Sequence, residues 1–262
     1  MSADETIAPA TAPPGALASR FVVEQLRYWK DVDAAHYEWQ TAHPYISVTE
    51  NTLLDGVEIS ARDRLLEIGC GEGANLYHLV RRAPKASFFG VDFSSSKILF
   101  ARSQMAVWGA RADAGALPFR SGSFDAVLVR DVLHHVQDRR AVLTEAIRIL
   151  RPGGRITVIE PNGRNPLIAL MAAGIREERG MLGSNPARVH AELGAAGADI
   201  TSVEARQPFP ISRVVLHYRL GLPSAGRTKL GRRLLECIEG GARILPRSLW
   251  AYFVVRGVKT LP

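Results

Sequence analysis

Residues 65–73 read Leu65-Leu-Glu-Ile-Gly-Cys-Gly-Glu-Gly73, an apolar run that ends in three alternating glycines. A helix-compatible stretch, 74–82, follows. The pattern predicts a strand, a tight turn and a helix N-terminus. Glycines allow positive φ and close approach of a ligand to the backbone. The first helical turn offers N–H groups that have no partner within the helix. Gly69, Gly71 and Ala74 fit a relaxed dinucleotide fingerprint, which alone is a weak signal. Glu67 sharpens it, because a carboxylate at the end of a strand beside such a turn can accept hydrogen bonds from a ligand ammonium. An ordinary glycine-rich turn with Glu67 solvated is the competing reading.

The next elements agree with a ligand that is part amino acid and part nucleoside. An apolar β-forming run, 86–91, ends at Asp92, 23 residues after Gly69, near the interval expected of a carboxylate that grips ribose hydroxyls. Asp92 can equally cap a helix. Phe93 can cover an adenine face, and Ser94, Ser95 and Ser96 form an N-cap cluster for a helix through Arg102. After a short strand, 108–112, Asp113 is placed to accept from an exocyclic amine while the Ala114 N–H donates to a ring nitrogen. A buried strand at 123–129 runs into Arg130-Asp-Val-Leu-His-His135. A helix at 141–150 and a strand at 156–159 close at Glu160. S-adenosylmethionine carries both halves of such a ligand; nicotinamide dinucleotides have no α-ammonium.

These segments, in this order and at these intervals, resemble the class I S-adenosylmethionine-dependent methyltransferases, nearest in style to the bacterial group that includes the ubiquinone and menaquinone biosynthesis enzymes. Leu66-Glu-Ile-Gly-Cys-Gly-Glu-Gly73, Gly90-Val-Asp92, Asp113-Ala-Gly-Ala-Leu-Pro-Phe119, Phe124-Asp-Ala-Val127, Val132-Leu-His-His-Val136 and Leu150-Arg-Pro-Gly-Gly154 carry the resemblance over about 60–161. It implies an α/β, Rossmann-like sheet of seven mostly parallel strands with helices on both faces and the last strand antiparallel. It implies that Glu67, Gly69, Cys70 and Gly71 hold the methionine part, Asp92 and Phe93 the ribose and adenine face, and Asp113 and Ala114 the adenine edge. The family usually has a small or polar residue where Arg130 stands, so Arg130 can pair with the ligand carboxylate or point toward the acceptor.

The chain has 262 residues, enough for one such catalytic unit with extensions. Residues 1–19 are rich in Ala, Pro and Thr without period and read as a disordered tail. Residues 20–60 read as a helical cap, with helices over 20–40 and 51–59, and 61–262 as the methyltransferase domain. Tyr37, Trp39, His43 and Tyr45 are candidates for a lid over the acceptor, or simply pack the cap onto the sheet. Later elements are expected at 167–175 (helix), 186–195 (helix), 200–205 (strand) and 249–258 (strand). Asn162, Arg164 and Asn165 after the fifth strand can face the acceptor or serve turn chemistry. Cys70 and Cys237, the only cysteines, give no disulfide framework; Cys70 reads as a small packing residue rather than a nucleophile. With no transmembrane run and no signal-peptide layout, a cytoplasmic protein is expected.

From Arg206 to Lys259 eleven basic residues face only Glu236 and Glu239. This segment alone carries +9, so the chain's +7 is local, centred on an insertion at 206–247. Within it, 229–245 alternates leucines and isoleucines with Lys and Arg, the pattern of a helix that lies on an anionic membrane face, attracts an anionic acceptor, or merely presents a solvated side.

Methyl transfer from a sulfonium needs mostly alignment. A base helps where the acceptor is a hydroxyl, and His135, His134, Asp131 and His43 are the candidates. No serine or cysteine triad pattern and no Cys/His cluster with metal-ligand spacing is present in sequence, so no metal is expected. The acceptor class that fits best is a small molecule, a lipid, an isoprenoid or quinone, or a secondary metabolite. An RNA or protein methyltransferase and a non-catalytic cofactor-binding protein are the alternatives. Arg130-Asp-Val-Leu133, in place of an Asn/Asp-Pro-Pro-aromatic motif, disfavours nucleic-acid bases.

Overall fold

The computed structural model describes residues 20–260; the tail expected at 1–19 lies outside them. Seven strands form one sheet: β1 (Arg64–Ile68), β2 (Ser87–Asp92), β3 (Trp108–Arg111), β4 (Phe124–Arg130), β5 (Leu150–Pro161), β6 (Ala198–Arg206) and β7 (Tyr252–Lys259). Their order is β3-β2-β1-β4-β5-β7-β6. β7 runs antiparallel to both β5 and β6, and the first five strands pair in parallel. The order therefore reverses between β1 and β4, and ligands of open α/β sheets bind in the crevice beyond the strand ends at that point.

Central parallel strands are apolar on both faces because helices cover both. Leu66, Ile68, Val127 and Val129 point into one core with α6 (Arg139–Ile149) and α8 (Pro186–Ala195). The alternate residues Leu65, Ala126 and Leu128 meet α4 (Ala74–Arg82), α5 (Ser95–Gln104) and α7 (Pro166–Gly174) on the other side. Each fully buried leucine or valine there contributes about 1.5–3 kcal/mol.

A third, smaller apolar cluster joins distant parts of the chain. Trp39 of α2 (Ala34–Ala42) and Tyr45 and Ile46 at the start of α3 (Ile46–Leu53) pack with Leu216 beyond α9 (Ser212–Val215). Leu235 of α10 (Lys229–Gly241) completes the cluster. The cap and the insertion between β6 and β7 thus form one roof. It rests on the strand ends through Asp33 N donating to Glu72 Oε1 (3.0 Å) and the Ser94 and Ser96 hydroxyls donating to Lys30 O (2.5 and 3.0 Å).

The expected cap helices shift. The 20–40 helix divides into α1 (Arg20–Trp29) and α2, because Asp33 accepts from His36 N (3.1 Å) and caps a new helix. The second begins earlier than 51, at Ile46, where His43 Nδ1 accepts from the Tyr45 and Ile46 N–H groups (3.3 Å each), and it decays into a 3-10 turn, Leu54–Gly56.

Asn165 anchors the loop after β5. Its Oδ1 accepts from Leu167 N and Ile168 N (3.0 and 3.2 Å) as the α7 cap, and its Nδ2 donates to Pro208 O and Leu249 O (3.0 and 2.8 Å). Asn165→Ala removes a cap, worth about 1 kcal/mol, and orphans two carbonyls. We expect a loss of about 3 kcal/mol in a denaturant titration, larger than for a surface cap such as Asn185→Ala.

Candidate active site

The glycine turn sits at the switch point. Gly69 and Gly71 take φ of +71° and +51°, where a side chain is strained. A Cβ on Gly69 would lie 2.4 Å from Val132 Cγ2, whereas one on Gly71 would meet nothing within 4 Å, so the face above Gly71 is open. Gly69 N and Cys70 N donate to Val91 O (2.8 and 3.0 Å), which ties the turn to β2. Gly71 N donates to Asp92 Oδ2 (3.0 Å) and Ser94 N to Asp92 Oδ1 (2.9 Å). Asp92 is buried, and that burial raises its carboxyl above the usual range against the two backbone bonds and Lys97. Cys70 packs its sulfur against Gly90, and burial pushes its thiol up, as suits a packing residue.

Glu67 is wholly buried at the end of β1. Asn75 Nδ2 donates to its Oε1 (2.6 Å), while Oε2 has no partner. Burial pushes the carboxyl up to about 8, with Asn75 and Arg130 opposing. A buried carboxylate oxygen without a donor, beside an open glycine face, fits the ammonium of an amino-acid ligand.

Arg130 Nη1 donates to Asn75 Oδ1 (2.6 Å), Nη2 to Glu50 of α3, and its Nε lies 3.3 Å from Asp131 Oδ2. Arg213 of α9 reaches the Glu50 carboxylate from the insertion (2.6 Å) and lies over the Tyr252 ring, 4.9 Å away. Burial alone would raise Glu50; Arg213 and Arg130 outweigh it and hold the carboxyl below its ordinary value. Arg130 is thus engaged by the protein itself.

Asp131 takes φ +54°, an uncommon conformation for a residue with a side chain, and its N–H donates to Ile159 O (3.0 Å). Its Oδ1 is buried without a partner, and burial raises its carboxyl despite Arg130 and His134. His134 Nδ1 meets Glu160 Oε2 at 2.7 Å, while Glu160 Oε1 accepts from Val132 N and Leu133 N (2.8 Å each). Burial opposes protonation of His134, but Glu160 and Glu178 more than offset it and raise the imidazole to about 10. His135 is held at about 3 by burial and by charged His134. At neutral pH the first imidazole is charged and the second neutral, and Asp131 offers the acceptor site of the three candidates.

The remaining predicted residues lie farther out. Asp113 is exposed and accepts from Gly115 N (2.8 Å); Ala114 is half-buried, and so is Phe93, whose carbonyl accepts from Arg111 Nε (3.0 Å). Tyr37 packs edge-on against Tyr77 and Phe100. Trp39 Nε1 donates to Leu216 O (2.6 Å), His43 Nε2 lies 2.8 Å from Pro223 O, and Tyr45 OH donates to Glu239 Oε2 (2.9 Å). Asn162 Nδ2 donates to Ser248 O and Trp250 O (2.9 Å each). Trp39, His43 and Tyr45 thus hold the cap to the insertion, Tyr37 packs the cap onto α4 and α5, and Asn162 ties the β5 loop to the segment before β7. Sequence reasoning missed Glu50, Asn75 and Arg213, whose partners are far away in the chain; only Asn75, in the first turn after the glycines, had a positional signal.

Residues 66–158 match the methyltransferase domain family. The chain is 30% identical over 190 residues to phthiotriol/phenolphthiotriol dimycocerosates methyltransferase 1 of Mycobacterium ulcerans, covering 71% of this chain and 66% of that one. It is 37% identical over 105 residues to demethylmenaquinone methyltransferase of Thermus thermophilus, covering 38% and 48%. Among solved structures, phosphoethanolamine N-methyltransferase 2 of Haemonchus contortus with S-adenosyl-L-methionine superposes with a TM-score of 0.66 at 20% identity, over 95% of this chain and 62% of that one. The fold and the glycine-turn site define a Rossmann-like nucleoside-binding protein. The chain belongs to the class I S-adenosylmethionine-dependent methyltransferases. It spans between 34% and 66% of the length of the first of the curated relatives it matches.

The raised carboxyl of Glu67 gives its candidate role a pH signature. Its folded value of about 8 lies above its ordinary 4.5, so folding stability falls as pH rises between the two, and the penalty is complete above 8. An ammonium placed at Oε2 favours the ionised form. Binding of S-adenosylmethionine near pH 7 is therefore expected to release ~1 proton, and the release fades above pH 8. Calorimetry in buffers of different ionisation enthalpy reads this directly, and Glu67→Gln abolishes it.

Proposed function

We propose that this chain transfers the methyl group of S-adenosylmethionine to a small-molecule acceptor of apolar or lipid-like character. The observation that carries the reading is the unpartnered, buried Glu67 oxygen beside the Gly71–Asp92 contact at the sheet's switch point. When bound, the donor supplies a methyl carbon already activated by its sulfonium. The chain's work is then placement, which can supply up to about 7–11 kcal/mol. Glu67 holds the ammonium, and the turn from Gly69 to Gly71, with Cys70 packed beneath it, lets the backbone approach. Asp92 grips the ribose, Phe93 covers one adenine face, and Asp113 with Ala114 N–H receives the adenine edge. Arg130 keeps Asn75 and Asp131 in position. Asp131 Oδ1 takes the proton of a hydroxyl acceptor. Charged His134 has no vacancy for that proton and fixes the loop, while His135 lines it in neutral form.

The relatives named as acting on a menaquinone precursor and on phthiotriol dimycocerosates support a lipid-like acceptor over an RNA or protein one. Asp92→Ala is expected to weaken donor binding about 100-fold by equilibrium dialysis. Asp131→Asn should keep binding and lose about 10²–10⁴ in turnover on a hydroxyl acceptor. Undiminished donor affinity in Asp92→Ala would refute the ribose assignment.

The insertion also favours an anionic bilayer surface as partner. Among the described residues, seven of the fourteen exposed large apolar side chains lie between Val214 and Ile244. Leu230, Leu234 and Ile238 form one exposed stripe of α10, flanked by Lys229 and Arg233, while Leu235 turns inward to the roof. No helix among the described residues is long and apolar enough to cross a membrane, so contact would be from one side. Sedimentation with anionic vesicles should capture the protein, less so at high salt, and replacing Leu230, Leu234 and Ile238 by Ser should reduce capture at least tenfold.

A further inference from the structure

Three side chains that methyl transfer does not require converge beside the loop after β4. His134 Nε2 lies 3.5 Å and His135 Nε2 3.8 Å from Glu178 Oε2, and one donor atom from each residue lies within 4.8 Å of the other two. Glu178 Oε2 is buried and has no hydrogen-bond partner, the two imidazole nitrogens being too distant to satisfy it well. We propose that His134, His135 and Glu178 bind a divalent transition-metal ion of the zinc class.

Two imidazoles and one carboxylate are a donor set of zinc sites that keep a position open for a water or a substrate atom. Hard cations such as calcium and magnesium take oxygen ligands and are disfavoured here. Zinc bonded at about 2.0–2.1 Å sets tetrahedral neighbours roughly 3.4 Å apart. Two of the three separations need only a few tenths of an ångström of contraction to reach it.

The surroundings hold the donors in place. His134 Nδ1 faces Glu160 at 2.7 Å, so its Nε2 is the nitrogen turned to the metal, which displaces the proton that nitrogen carries in the metal-free protein and releases it to solvent; Glu160 is itself fixed by the Val132 and Leu133 N–H groups. Glu178 sits on the 3-10 turn Arg176–Gly183, whose Gly180 abuts the His134 carbonyl so closely that a Cβ there would overlap it. Gln25 Nε2 of α1 donates to Glu177 O (2.8 Å) and pins the same turn from above. Sequence spacing gave no hint of this set, because Glu178 follows the adjacent histidines only after β5 and α7. Trp29 packs edge-on against His135, its ring 5.2 Å away, and provides an optical reporter.

The test is titration of chelator-treated full-length protein with Zn²⁺ by calorimetry and with Co²⁺ by visible absorption and tryptophan quenching. One equivalent of zinc, a d–d spectrum of low-coordinate cobalt and quenching are expected. His135→Ala and Glu178→Gln should each weaken binding at least tenfold, and Glu160→Gln roughly 10–100-fold. The exposed His190→Ala should leave it unchanged. A folded wild type that takes up no stoichiometric zinc overturns the proposal, whatever the variants do. So does undiminished affinity in His135→Ala and Glu178→Gln proteins with the wild-type circular dichroism spectrum. If those variants do not fold, X-ray absorption of the wild-type zinc complex decides: two imidazole ligands support the site, and none overturns it. Donor binding is measured separately, so failure here leaves the methyltransferase reading standing.

Discussion

A guanidinium removed from water is the constraint around which the catalytic edge is organised. Arg130 ends β4 almost fully buried, and an unpaired charge there would cost several kcal/mol. Its charge is balanced by Glu50 from the cap, and Glu50 is shared with Arg213 from the insertion. Through Asn75 the same guanidinium reaches Glu67. One buried chain of polar contacts therefore couples the sheet, the cap, the insertion and the glycine turn. Removing any member leaves its neighbours charged and dry, which makes the network a device for registry as much as for stability.

The two titrating neighbourhoods of the cleft are set in opposite senses by the same low dielectric. Glu67 has one neutral donor and no cation in direct contact, so burial dominates and its carboxyl rises. Glu160 faces an imidazole and two backbone N–H groups, and these overcome its burial. What separates them is a cation in direct contact: the charged imidazole of His134, with the two backbone N–H groups, outweighs the burial of Glu160, whereas neutral donors alone do not offset burial at Glu67 or, with two backbone bonds, at Asp92.

The geometry of the glycine turn and the strand ends beside it was readable in the sequence because its parts are local. Glu67, Gly69, Gly71 and Asp92 end consecutive parallel strands, and strand periodicity fixes where such ends fall. The helix start at Ser94 was readable too, and that of the 186–195 helix to within Ser184 or Asn185, of which Asn185 is the cap, since a cap interacts with residues two or three positions ahead. The long-range polar contacts around the loop after β4 were not readable. Glu50, Arg213 and Glu178 matter through contacts that only tertiary folding creates, and nothing in their own neighbourhoods distinguishes them from surface charges. Tyr37, Trp39, His43 and Tyr45 were legible as aromatic and polar, but their partners, such as a carbonyl 177 residues downstream of Trp39, were not. The extension of β5 beyond 156–159 likewise depends on partners distant in the chain, Phe124 of β4 opposite Leu150 and Phe253 and Tyr252 of β7 opposite Glu160 and Pro161, which local β-propensity does not register.

The small apolar cluster around Trp39 and Leu235 has a corollary for how the molecule tolerates change. Because the roof has a miniature interior of its own, drawn from both sides of the sheet-forming sequence, its outer and inner surfaces can be rebuilt while the carboxylates beneath keep their places. Such a layout mechanically separates the roof from the sheet edge beneath it, so a substitution in one leaves the packing of the other largely undisturbed.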